Sequence, residues 1–214
     1  MNAKIIISLE GNIGVGKSTL MGVLEKEFSD IADFVYEPVD EWLNILDENE
    51  EKNLLDIFYE DKKRWAYTFQ NVAYITRMKR ILDTTKNVVI MDRSLDGDYN
   101  TFTKMLREEG CLNDIEWQSY LMWYNLYRDY IGKNIQKSYV YLKCSPEVAI
   151  SRIAKRNRSE EKSISIDYIN KLHDSHEKWF EREDNVYTFN VEEDFINDDI
   201  KLNNLKCWIK SVIN

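Results

Sequence analysis

The chain has 214 residues, 43% hydrophobic and 31% charged, a balance that suits one soluble globular domain with a real core and excludes a disordered chain. Its formal net charge of −9 argues against a nucleic-acid polymer as partner, whose phosphates it would repel, but leaves room for a mononucleotide in a local basic pocket. No apolar run approaches the roughly 20 residues of a membrane span, so no membrane partner is expected.

Cys111, Cys144 and Cys207 are widely spaced and form no C-x-x-C, so free thiols in a reducing compartment are expected. The first strand starts within a few residues of Met1, so no leader peptide is expected and the location is read as cytoplasmic.

Ile5-Ile6-Ile7-Ser8-Leu9 reads as a short β-branched strand. Gly11-Asn12-Ile13-Gly14-Val15-Gly16-Lys17-Ser18 follows and fills every fixed position of G-x-x-x-x-G-K-S/T, the P-loop pattern. Thr19 to Phe28 then carries apolar residues at helical spacing. In a strand–loop–helix context the glycines let backbone N–H groups close around phosphates at the positive end of a helix. Lys17 can reach the β- and γ-phosphates, and Ser18 can hold Mg²⁺.

A second strand, Asp33 to Tyr36, ends at Glu37-Pro38. At the carboxyl edge of an open α/β sheet, Glu37 could accept a proton from an attacking hydroxyl, or it could be a surface residue before a turn. Asn53 to Tyr59 reads as a short helix and Asp61 to about Thr84 as a long one. On the long helix Gln70, Ala73, Tyr74 and Arg77 share a face. With Phe69, that face suits a planar polar ring, though spacing alone also fits a solvated face.

Asn87 to Asp92 is a third strand. A strand ending in Asp92 matches the second metal-handling carboxylate of a P-loop enzyme, with Arg93 and Ser94 at the same edge. A helical segment starts near Asp96 and carries Asp98, Tyr99, Phe102 and Met105. A further helix from Asn113 or Asp114 to about Gly132 bears Trp117, Tyr120, Tyr124 and Tyr127 as a stripe, read first as core and second as a self-association face.

Ser138 to Lys143 is a fourth strand, and Ser145-Pro146-Glu147 starts a helix carrying Arg152 and Arg156, with Arg158 just beyond. Such a basic cluster can close over a transferring phosphoryl group, or it can decorate a helix end. Asp167 to Arg182 (helix), Asn185 to Phe189 (strand) and Asp198 to Ile213 (helix) complete the chain. His173 and His176 have no third ligand at a recognisable spacing, so zinc is not expected. Strands alternating with helices predict an α/β fold with a five-stranded parallel sheet.

Gly11 to Thr19, Glu37-Pro38-Val39 with Trp42, Lys63-Arg64-Trp65 with Phe69-Gln70, Asp92-Arg93-Ser94 and Arg152 through Glu161 occur in the order found in deoxyribonucleoside kinases. The chain resembles that family from near Ile5 to the last helix, and most the branch containing deoxycytidine and deoxyguanosine kinases. The resemblance implies a single P-loop kinase domain over residues 1–214 with an arginine-rich lid at about 152–163. It implies transfer of the γ-phosphate of ATP–Mg²⁺ to the 5′-hydroxyl of a deoxynucleoside in nucleotide salvage. By resemblance Glu37 takes the hydroxyl proton and Arg93 positions the phosphoryl group. Tyr59 and Glu161 match the pair on the sugar 3′-hydroxyl, Gln70 pairs with the base edge, and Phe69 and Phe102 sandwich the ring. Arg152, Arg156 and Arg158 match the lid, and Glu193-Asp194-Phe195 the loop on the donor base.

Arg77 and Asp98 match the cytidine- and purine-preferring branch, which implies deoxycytidine or a purine deoxynucleoside over thymidine. Asp92 stands where most of that branch has Glu, and Gly97 and Tyr99 stand where Ser and Arg are usual. The family also suggests a homodimer through helices such as Trp117 to Tyr130. Two alternatives remain at this point: a thymidylate-type nucleotide kinase, and a non-catalytic P-loop nucleotide sensor. A carboxylate at position 37 would repel an acceptor that already carries phosphate, and no guanine-reading N-K-x-D is present.

Overall fold

Strand β1, Lys4–Glu10, is the middle of the sheet in a computed structural model that describes residues 4–49, 51–157 and 164–214. Ile6, Ile7 and Leu9 are almost wholly enclosed, as suits a strand covered on both faces. The other strands are β2 (Ala32–Val35), β3 (Val88–Asp92), β4 (Ile135–Lys143) and β5 (Val186–Asn190). Their order is β2-β3-β1-β4-β5 and every pairing is parallel, which confirms the expected five-stranded sheet. Leu9 is in register with Asp92 on one side and Val140 on the other. The carboxyl ends of β1 and β3 therefore meet at one edge, where an open sheet of this kind binds its ligand.

Helices fill the connections: α1 Lys17–Phe28, α2 Val39–Leu43, α3 Leu54–Glu60 and α4 Lys62–Leu82 come first. After β3 come α5 Leu95–Gly97, α6 Lys104–Glu108 and α7 Asp114–Leu126, then α8 Pro146–Arg156, α9 Ile166–Phe180 and α10 Asp199–Ile213. Local chemistry sets several starts. The Asn53 and Asn113 side chains each cap two amides of their helices, with Asp56 and Glu116 reaching back. Ser145 caps α8, with Pro146 at its first position.

The helices differ from the sequence reading at three points. The helix expected to run to Gly132 leaves α geometry at Leu126 and continues as a π-turn, Tyr127–Ile131. The segment after Ser94 likewise widens into a π-turn over Asp98–Thr103, where the Thr101 hydroxyl donates to the Gly97 carbonyl. The short α2 was not expected; Pro38 stands as its cap and Asp40 and Glu41 lie in its first turn.

The aromatic stripe on α7 is core. Tyr120, Tyr124 and Tyr127 are buried against Tyr74 of α4 and β-sheet residues such as Ile6 and Val89. What α7 and the turn after it expose is a different set: Ile115, Met122, Trp123, Leu126 and Tyr130.

Candidate active site

The P-loop lies between β1 and α1, with Gly11, Gly14 and Gly16 at φ of 143°, 82° and 99°. A side chain at Gly11 would strike the Leu142 carbonyl, and one at Gly14 the Ala149 carbonyl, so these two glycines answer both to φ and to space. The Lys17 ammonium is folded onto the loop, donating to the Asn12 carbonyl at 2.9 Å and the Gly11 carbonyl at 3.4 Å. Burial and the nearby Arg93 push it down to about 8, against the pull of Asp92 and Glu37. The remaining loop residues divide. Asn12 is structural in its side chain, which ties the loop to α9 through the Ile169 carbonyl; Val15 is packed in the core and offers only its backbone. Ile13, Gly14, Gly16, Ser18 and Thr19 line the main cavity.

Three carboxylates line the main cavity together with this loop. The Ser18 hydroxyl donates to Asp92 Oδ2 at 3.2 Å, while Asp92 Oδ1 is buried with no hydrogen-bond partner among the described residues. Burial holds Asp92 above the usual carboxylate range, opposed chiefly by Lys17. An orphaned carboxylate oxygen beside a serine hydroxyl fits a hard divalent cation that keeps waters and phosphate oxygens for its other positions. Among the described residues no group of three or more His, Cys, Asp or Glu is placed to hold a metal ion.

Glu37 and Asp98 are joined by one guanidinium. Arg77 Nη2 donates to Glu37 Oε1 at 2.7 Å, Nε to Asp98 Oδ2 at 2.7 Å, and Nη1 to the Asp92 carbonyl at 3.2 Å. Arg93 Nε stands 3.3 Å from the same Glu37 Oε1. Burial alone would raise Glu37, but Arg77, Arg93 and Lys17 outweigh it and hold the carboxyl at about 2. Asp98 is raised instead, because its burial exceeds what Arg77 returns. Arg77 and Asp98 are only 3% and 4% exposed in their side chains, whereas Glu37 keeps 26% and faces the cavity.

That cavity has a volume of about 210 Å³. It gathers Lys17, Ser18, Glu37, Trp42, Tyr59, Phe69, Gln70, Arg77, Asp92, Arg93, Asp98, Phe102 and Arg156, a set drawn from six segments far apart in the chain. Phe69 stacks on Phe58 at 4.4 Å between ring centres and meets the edge of Trp42. The Arg93 guanidinium lies 4.6 Å from the centre of the Phe102 ring. Gln70 is buried, with the Thr103 hydroxyl 2.9 Å from its Oε1, so the solvated-face reading of this part of α4 falls.

A second cavity adjoins the P-loop and is lined by Arg152, Arg156, Asp194 and Phe195 among others. Phe195 is largely core, seated over Gly16 and edge-on to Phe189. Glu193 lines neither cavity; its carbonyl accepts from Arg152 at 3.4 Å. Arg158, Glu161 and the rest of residues 158–163, half of the lid expected at 152–163, lie outside the described residues. Sequence reasoning missed Leu55, Phe58 and Tyr168 on the main cavity wall, because only tertiary packing brings them there.

A P-loop, a buried carboxylate with an unpartnered oxygen and a second carboxylate facing a shared cavity are the arrangement expected of a P-loop phosphotransferase with a small-molecule acceptor. Comparison with known proteins names the group. Residues 7–214 match the model of the deoxynucleoside kinase family. The chain is 38% identical to a probable deoxycytidine kinase of Fowlpox virus over 86% of its own length and 75% of the relative's. It is 33% identical to the mitochondrial deoxyguanosine kinase of Xenopus laevis, covering 97% and 89% of the two chains, and 33% identical to the deoxycytidine kinase of Mus musculus, covering 88% and 84%. The chain belongs to the deoxynucleoside kinase family, and is an ATP-dependent enzyme that phosphorylates deoxynucleosides.

Proposed function

We propose that the acceptor is deoxycytidine or a purine deoxynucleoside in preference to thymidine, and that the donor acts as ATP–Mg²⁺. The observation that carries the preference is Asp98, a buried carboxylate held by Arg77 at the wall of the cavity that also holds Gln70. A carboxylate accepts from an exocyclic amino group, which cytosine and adenine have and thymine lacks. Relatives named for deoxycytidine and deoxyguanosine support the same preference.

In this reading the base lies between Phe69 and Phe102, which directs the 5′-hydroxyl toward Glu37. The hydroxyl oxygen forms its bond to the γ-phosphorus as the bond to the β-phosphate oxygen breaks. The hydroxyl proton passes to Glu37, and ADP leaves. Lys17 and Arg93 neutralise charge on the moving phosphoryl group, and Arg152 and Arg156 close from the lid side. Ser18 and Asp92 would hold Mg²⁺, which would supply positive charge to offset that of the donor phosphates. The triphosphate competes for Lys17 and Arg93, so Glu37 loses part of the field that depresses it and gains proton affinity in the complex.

Phosphate transfer from ATP–Mg²⁺ to the four deoxynucleosides and thymidylate tests this. Deoxycytidine or a purine deoxynucleoside is expected to give the highest kcat/KM. Thymidine as the best acceptor would overturn the Asp98 reading, and thymidylate alone as acceptor would overturn Glu37 as a base toward a neutral hydroxyl.

We also propose a cytoplasmic homodimer. Three free cysteines support a reducing location. No helix among the described residues is long and apolar enough to cross a membrane. The helices α4 and α7 pack together, and each exposes apolar residues seven apart: Ile75 and Leu82 on one, Ile115 and Met122 on the other, with Leu126 and Tyr130 beyond. A second copy of the chain fits this face. Wild type is expected to have twice the 25.6 kDa chain mass by light scattering, and Met122→Glu with Leu126→Glu to restore the single mass. A wild type that already runs at the single mass would sink the dimer.

A further inference from the structure

Three consecutive residues at the end of β1 grip the turn after β3. The Leu9 carbonyl accepts from the Arg93 amide at 3.0 Å, and the Gly11 carbonyl from Arg93 Nη1 at 2.8 Å. Between them, Glu10 Oε1 accepts from both the amide and the hydroxyl of Ser94, at 2.7 and 2.6 Å. Arg93 itself has φ of 64°, in the left-handed region that a non-glycine residue holds only when its surroundings impose it. The Glu10 bonds fall on the residue immediately following this strained one.

Glu10 is 0% exposed, a costly place for a carboxylate unless it has a task. Its Oε2 has no partner among the described residues and lies against Gly97. A Cβ at Gly97 would collide with both Glu10 oxygens, so the glycine is there to admit the carboxylate. Ser94 also caps the next helix, accepting from the Gly97 amide at 2.9 Å, so Glu10, Ser94 and Gly97 form one interlocked unit.

We propose that Glu10 is a positioning residue for phosphoryl transfer: by anchoring Ser94 it holds the strained Asp92–Arg93–Ser94 turn, and with it the Arg93 guanidinium beside Glu37. This rests on the reading of Arg93 as the arginine that positions the phosphoryl group. Glu10 does not line the main cavity, so it acts only through the turn. The anchor works by acceptor geometry, which an amide oxygen reproduces.

The test uses the full chain and compares Glu10→Ala, Glu10→Gln and Arg93→Ala with the double variant Glu10→Ala/Arg93→Ala. Glu10→Ala is expected to lose about 10- to 100-fold in kcat, the scale of a small misplacement of a catalytic group, with ATP affinity retained. Glu10→Gln should return kcat close to wild type. The double variant should be no slower than Arg93→Ala alone, since the anchor has nothing left to position. A further multiplicative loss in the double variant, or a Glu10→Gln as slow as Glu10→Ala, would overturn the proposal. Should Glu10→Ala fail to fold, Ser94→Ala removes one of the two donors and is expected to show a smaller kcat loss that also vanishes in the Arg93→Ala background. Arg93→Ala at the wild-type rate would instead overturn the Arg93 reading, and a slow Arg93→Ala beside an unaffected Glu10→Ala would overturn the Glu10 proposal alone.

Discussion

Glu37→Gln is expected to lower kcat by about 10²- to 10³-fold while ATP still binds, because the amide keeps the shape of the carboxylate but takes no proton. The phosphate cradle is built from P-loop backbone and Lys17 and does not depend on residue 37. Single-turnover transfer with ATP binding measured separately checks this; equal turnover would remove Glu37 from the chemistry. The pH dependence follows from the same contacts. Held well below the usual carboxylate range by Arg77, Arg93 and Lys17, which outweigh its burial, Glu37 is ionised near neutral pH in the free enzyme. Free-enzyme kcat/KM should therefore show no acid limb from Glu37 between about pH 5 and 8.

Arg77→Met should be the most damaging single change to stability, at about 3–5 kcal/mol, since it strands a buried carboxylate at Asp98. It also removes the foremost cation lowering Glu37, so the group titrates at higher pH and an acid limb moves toward neutrality. Changing Asp98→Ala at the same time removes the stranded charge. The double variant should regain much of the lost stability and raise the ratio of thymidine to deoxycytidine use. Denaturant unfolding of the three variants, with acceptor ratios for the double, checks both parts. A double variant no more stable than Arg77→Met alone, or an unchanged ratio, would break the link between this ion pair and the base.

Much of this was legible in the sequence because the signals are local. Gly11 to Ser18 sits between a β-branched run and an amphipathic run, so motif and context agree within a few tens of residues. Asp92 ending an apolar strand is equally local. The arginine bridge was not legible in this form. Arg77 and Asp98 were marked as a specificity pair and Glu37 as a base, yet that one guanidinium joins them depends on packing α4 against the ends of two strands. Glu10 was invisible for a related reason: it reads as the last polar residue of a strand, and only the β1–β3 register places it under Ser94. The stripe on α7 was rightly read as core, but the apolar residues on its other face went unmarked, because a helix apolar around most of its girth has no clear periodic signal.

The strand order has a consequence for how the chain is made. Among the described strands β1 comes earliest in the chain, yet its two neighbours, β3 and β4, are each separated from it by a long stretch of chain. Closing those loops precedes any reward from pairing, so the central strand waits for its partners. The Gly11 carbonyl meets Arg93 through the β1–β3 pairing, whereas the loop itself packs against Leu142 of β4, so the cradle is complete only when both neighbours are in place. Stabilisation of the fold by ATP is therefore expected only for chains in which β4 has joined β1.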